Sequence, residues 1–265
     1  MTFDPAGKAM EILEGKQSIL PALLARRRKF QLLLVKQNTP VKRLQEVLEA
    51  AEAQGVPIKF APPEELAALT KGRSHGGLAA ICTPKPEMSV TELLEQSRRN
   101  EQPAFFLLIE GTEDAQNLGY TLRTAEAMGA HAVFLKKHVW NFDATAVSRA
   151  SSGAYERMPL VQIENIEKLL TPFRRLGIKF WGCIGGAKRT IYEVDLTAPI
   201  MLAIGGERRG LSGALREFCD GFARIPTVGG ATSLSLSHAA SIVMAEVLRQ
   251  RHSLARTIIP DNDLS

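Results

Sequence analysis

The feature that most constrains this chain is a rhythm that begins after Pro103. Short apolar runs at 104–109, 131–135, 178–183 and 200–204, with a brief one at 222–225, read as strands. Helical patterns at 118–128, 143–150, 165–175, 212–217 and 234–252 separate them. The strand runs are too apolar to alternate, as expected of strands buried on both faces. Strands alternating with helices build a mainly parallel sheet with helices on each side. In such sheets ligands bind beyond the carboxyl ends of the strands. The chain therefore reads as α/β, and its chemistry belongs in the loops that follow its strands.

The first 85 residues read as a second, smaller α/β domain. Ile19, Leu20, Leu23 and Leu24 give one apolar helix face, and Gln31 to Val35 form a short buried strand. Val41, Leu44, Val47, Leu48 and Ala51 recur at helical spacing until Gly55 ends the pattern. Strands at 57–60 and 78–82 flank a short helix at 64–69. From Thr83 to Pro103, three prolines, many charges and a brief helical pattern at 90–94 suggest a linker. The domains are accordingly placed at 1–85 and 103–265, with a linker at 86–102.

Charge divides along the same line. Residues 1–85 hold 13 Lys and Arg against 8 Asp and Glu, whereas residues 86–265 hold 20 of each. The whole excess of +5 lies in the first third, with a dense run at Arg26, Arg27, Arg28 and Lys29. A basic domain beside a neutral one suggests a nucleic-acid grip attached to a separate working unit. A solvated helix end is the plainer reading of the same run. Cys82, Cys183 and Cys219 are far apart and form no CxxC, so neither a zinc site nor a disulfide framework is expected. The five histidines form no ligand-spaced cluster, so no metal is expected. No apolar run approaches the ~18 residues of a membrane helix. The opening stretch MTFDPAGKAMEILEG carries acids and lacks a long apolar core, so it does not read as a signal peptide. A soluble, cytoplasmic protein is expected.

Three loops follow expected strands. "NLGYTLRTA", 117–125, comes after a polar, acidic join at 110–116 and brings an amide, a missing side chain and a guanidinium within seven residues. Asn117 stands where a helix N-cap belongs. "IGGERRGLS", 204–212, has glycines that admit close backbone approach, yet it lacks both GxGxxG and GK[ST]. Its Glu207 can accept hydrogen bonds from a ligand or pair with Arg208 or Arg209. "IPTVGGATSLSLSHAASIVMAEVLRQ", 225–250, runs through a Gly-rich loop into small hydroxyl residues that open a long helix. The free N–H groups of such a helix start can bind an oxyanion or an adenine edge. Taken singly, each loop reads equally well as ordinary turn and cap chemistry.

Their order is more informative. N-x-G-x(3)-R-x-A, then [LIV]-G-x-E-x(2)-G-[LI]-S, then I-P-x(6)-S-L-x-[LV]-S-x-A-A resembles the SpoU/TrmH family of RNA 2′-O-ribose methyltransferases in the SPOUT superfamily. "RASSGAYERMPLV", 149–161, resembles the family's S-x-G-A segment, and "SHGGLAAI", 74–81, its small ribosomal-protein-like RNA-binding domain. The resemblance implies a C-terminal trefoil-knotted SPOUT methyltransferase domain acting as a homodimer, with S-adenosylmethionine as cofactor and no metal. Gly205, Ile225, Leu234 and Ser235 would hold the cofactor. Arg123 would face the ribose and stabilise the developing alkoxide, since an arginine that stays protonated is a poor base. Asn117, Glu207 and Ser233 would support it, and Arg26, Arg27, Arg28 and Arg73 would grip RNA. The separate N-terminal domain resembles that of members directed at ribosomal RNA, with 23S rRNA as the expected substrate. Two alternatives stay open: a tRNA-directed enzyme, and a ribosome-assembly factor that binds RNA without catalysis. The second is motivated by Ser235, where the family usually has Asn. A dinucleotide-using enzyme is disfavoured by the missing GxGxxG.

Overall fold

The structure is a computed structural model that describes residues 2–3, 9–70, 75–100, 102–112, 114–136, 142–206, 209–229 and 233–258. The chain divides into two units: Met1–Pro86 with Asp143–Arg157, and Glu87–Phe142 with Met158–Ser265.

The first unit is a five-stranded sheet. Its elements are β1 (Thr2–Phe3), β2 (Ala9–Glu14), α1 (Lys16–Ala25), β3 (Phe30–Lys36), α2 (Val41–Glu52), β4 (Ile58–Ala61), α3 (Pro63–Leu69) and β5 (Leu78–Cys82). The strand order is β1-β2-β5-β3-β4, and only β3–β4 is parallel. Leu13, Ile19, Leu23, Leu33, Val47 and Leu78 are fully buried in one core. The strand at 9–14 was not expected, because two acids interrupt it. Both are neutralised within the unit by arginines: Glu11 by Arg28 at 2.6 Å and Glu14 by Arg149 at 2.5 Å.

Arg149 lies on α6 (Ala144–Ala150), which with α7 (Ala154–Arg157) completes this unit. Gly153, at φ 82°, lets the turn between them press against α1, since a Cβ there would lie 2.2 Å from the Pro21 ring. Arg28 corrects an expectation. It is buried, and its guanidinium donates to Glu156 at 2.8 and 2.9 Å and to the Thr83 carbonyl at 2.9 Å. It is a structural cation rather than a surface contact for RNA. Arg26 is exposed, Arg27 half-buried, and Arg73 lies outside the described residues.

The second unit holds the parallel sheet. Its elements are α4 (Val90–Arg99), β6 (Phe105–Ile109), α5 (Ala115–Ala127), β7 (Ala132–Lys136), β8 (Leu160–Ile163), α8 (Ile166–Arg175), β9 (Lys179–Cys183), β10 (Arg189–Thr190), β11 (Ile200–Ile204), α9 (Gly213–Phe218), β12 (Gly221–Arg224) and α10 (Leu236–Ile258). Seven strands run in the order β10-β12-β9-β11-β6-β7-β8, every pair parallel. Every residue of β6 and β11 is buried, as central strands covered on both faces must be. Phe106, Phe134 and Phe173 meet edge to face at 5.6, 5.5 and 5.2 Å between ring centres. The stretch read as a linker contains α4, which has a Ser89–Glu92 capping box and sends Leu93 into this core.

Candidate active site

Because all seven strands are parallel, their carboxyl ends share one edge of the sheet. The loops after β9, β11 and β12 close there around a cavity of about 580 Å³. Gly185, Gly186, Gly205, Gly206 and Gly210 line it, with Ile225, Ser233 and Leu234. At Gly205 the need for glycine is steric. A Cβ would stand 2.1 Å from the Gly210 carbonyl carbon and 2.5 Å from the Leu211 nitrogen, both backbone atoms that cannot swing aside. The turn is held by Gly210 N–H donating to the Gly206 carbonyl at 2.8 Å. A wall of glycines offers backbone donors and acceptors directly to a ligand.

The sequence pointed to Gly205, Ile225, Ser233 and Leu234, and the structure brings them to this one cavity. It missed Cys183 to Gly186, Arg216, Arg224 and Thr227, which also line it. The loop after β9 carries "IGG", a second glycine pair at a strand end and the one available signal. Burial pushes the Cys183 thiol up to about 12, with Cys219 nearby adding to the effect, so it stays a neutral thiol. Ser235 is not among the residues that line the cavity. Its hydroxyl bonds His238 Nδ1 at 2.6 Å, and its carbonyl accepts from Ala239 N–H at the start of α10. Glu207 lies outside the described residues.

The first loop is built differently from expectation. Asp114, not Asn117, caps α5, accepting from Asn117 N–H at 2.7 Å. The Asn117 amide donates to Asp114 at 2.8 Å and accepts from the Ser237 hydroxyl at 2.8 Å. Its side chain therefore ties the start of α5 to the start of α10. Ser241 adds a 3.3 Å bond to Thr124 one turn further along. Arg123 lies on the exposed side of α5 and forms no hydrogen bond or ion pair with another described residue. It does not line its own chain's cavity.

Glu110 was read only as part of an acidic join. It is buried at the end of β6 and accepts from Ser212 N–H at 2.5 Å, from the Ser212 hydroxyl and from Lys136. Burial pushes its carboxyl up, but the Lys136 and Ser212 hydrogen bonds outweigh this and hold it below its ordinary value. The network joins the ends of β6 and β7 to Ser212, the cap of α9.

Comparisons with known proteins bear on the family and the fold. A family model described as the SpoU rRNA methylase family matches residues 104–245, and one described as RNA 2′-O ribose methyltransferase substrate binding matches 12–88. The TrmH family tRNA/rRNA methyltransferase YacO of Bacillus subtilis is 33% identical over 90% of this chain and 95% of its own. The 23S rRNA (guanosine-2′-O-)-methyltransferase RlmB of Escherichia coli K12 is 31% identical over 91% of this chain and 99% of its own. The fold matches the SpoU methyltransferase AviRb from Streptomyces viridochromogenes, solved with its cofactor AdoMet, with a TM-score of 0.78 at 23% identity, covering 92% and 91% of the two chains. The chain belongs to the SpoU rRNA methylase family of RNA 2′-O-ribose methyltransferases.

Proposed function

We propose that the chain methylates a ribose 2′-hydroxyl in 23S ribosomal RNA, with S-adenosylmethionine as methyl donor. The observation that supports this best is the glycine-lined cavity at the carboxyl edge of β9, β11 and β12. Its residues fit the cofactor: backbone donors and acceptors for an adenosine, and Arg216 and Arg224 for a carboxylate. S-adenosylmethionine, when bound, supplies a sulfonium methyl open to in-line attack. The neutral Cys183 thiol on the cavity wall does not compete as a nucleophile, since a thiol attacks as its thiolate. Arg123, with a fork of donors and no described partner, is placed in this reading to hold a phosphate and stabilise the developing alkoxide. Asn117 and Ser237 fix the helix that carries it. Arg26 and Arg27 contact RNA from the first unit. A trefoil knot and a homodimer belong to the same reading; the homodimer is supported by Arg123 not lining the cavity of its own chain and by the half-exposed Tyr120 on the same helix. The test is transfer of label from methyl-labelled S-adenosylmethionine to 23S rRNA, with the product nucleoside identified. Label on a ribose oxygen supports the reading; label on a base, or none, overturns it.

A further inference from the structure

The outer edge of the parallel sheet carries a second cavity, about 480 Å³, that shares Ile184 and Gly186 with the first. Its floor is Trp181, paired across β9 and β12 with Gly221. A Cβ on Gly221 would stand 2.7 Å from the indole, so the missing side chain is what lets the ring lie over the strand. The indole is half-buried and lines the cavity. Lys188 and Arg189 form the rim, both exposed, and Arg189 stands within electrostatic reach of the exposed carboxylate of Glu193. The one acid in the cavity, Asp220, is already engaged: it accepts from Phe180 N–H at 2.8 Å and faces Arg174 at 3.9 Å. The result is an accessible aromatic ring beside two solvent-exposed cations, Lys188 and Arg189.

We propose that this shelf binds a single-stranded stretch of the substrate RNA, with a base stacked on Trp181 and flanking phosphates at Lys188 and Arg189. The inference rests on the RNA methyltransferase reading and extends it: the grip on RNA is not confined to the basic first unit. Aromatic stacking tolerates any base, and paired cations track a backbone. A protein whose second unit is neutral overall can still bind RNA there, because the charge is local.

Trp181 and Trp140 are the only two tryptophans in the sequence. The test uses the full chain carrying Trp140→Phe, so that Trp181 is the sole indole, titrated with a dodecamer of oligoadenylate. Saturable quenching that persists under saturating S-adenosylmethionine is expected. In the otherwise native chain, Lys188→Glu with Arg189→Glu should weaken oligonucleotide affinity roughly tenfold and flatten its salt dependence. Cofactor affinity, measured by calorimetry, should not change. Quenching that S-adenosylmethionine competes away would assign the shelf to the cofactor and overturn the proposal. Oligonucleotide bound by anisotropy without quenching, and unaffected by the charge reversals, would also overturn it. Methyl transfer to rRNA by the parent, assayed in parallel, separates that failure from failure of the enzymatic reading.

Discussion

Gly205 is the residue whose chemistry is most tightly dictated by its neighbours, because backbone surrounds the place of its absent side chain. Gly205→Ala should therefore force the β11 loop open and lower S-adenosylmethionine affinity by roughly tenfold or more, by analogy with the cost of overpacking. Calorimetry that finds the affinity within twofold of the parent would remove Gly205 from the binding surface. Arg123 makes the opposite kind of case, being exposed and without a partner among the described residues. Arg123→Ala should leave cofactor affinity unchanged and lower turnover by about 10²-fold, as for losing a transition-state donor. Arg123→Lys should fail similarly, since an ammonium cannot copy the planar fork. Single-turnover methyl transfer is the measurement, and near-normal rates in both variants would end this assignment.

At the scale of elements, buried polar networks decide how the loops are held. Glu110 joins β6, β7 and α9, and its folded carboxyl titrates below the usual carboxylate range. The linkage sign follows directly: the unfolded chain binds the proton first as pH falls. The stabilisation from Glu110 is thus complete above about pH 5 and disappears as pH drops through about 4 and then through the folded value. The difference in melting temperature between the parent and Glu110→Gln should be constant near neutrality and shrink below about pH 4. A difference that holds constant down to pH 3 would contradict the network. In the first unit, Arg28→Ala would leave Glu156, only 1% exposed, without its main cation. The expected cost is about 3–5 kcal/mol in urea unfolding, as for a broken buried pair; a loss under 1 kcal/mol would show the pair to be dispensable. Lys85 nearby is pushed down by burial, and its ammonium already donates to the Tyr155 carbonyl.

These elements also show what the sequence could reveal. The strands β6 and β11 were legible because central parallel strands are uniformly apolar, and α10 because its buried face repeats at helical spacing. β2 was not, since the arginines that neutralise its acids come from residues 28 and 149, and pairing over that separation leaves no local pattern. The same ambiguity misassigned Arg28: a run of three arginines looks like a surface patch, and nothing local marks the one that turns inward. The cavity residues on the β11 and β12 loops were legible through the order of three motifs and the family they resemble, since each loop alone reads as ordinary turn and cap chemistry. Asn117 was expected beside the reacting ribose, and its tie to Ser237 was not foreseen, because a hydrogen bond across 120 positions has no sequence signature.

At the scale of the whole molecule, the account divides labour between a basic unit and a neutral one. The first unit includes Asp143–Arg157, drawn from the middle of the sequence. Deleting residues 1–85 would strip Glu156 of Arg28, so a clean separation of binding from catalysis is better sought by charge reversal. Arg26→Glu with Arg27→Glu should weaken RNA binding and reduce its salt slope while leaving cofactor affinity intact. An unchanged salt slope would show that the N-terminal cations are not the grip. The central claim is that a ribose 2′-hydroxyl in ribosomal RNA receives the methyl group. A ribose-methylation map of rRNA from cells with and without the gene tests it most directly. The account predicts one 2′-O-methyl mark in 23S rRNA that vanishes with the gene and returns with the wild-type copy but not with Arg123→Ala; an unchanged rRNA map would contradict it.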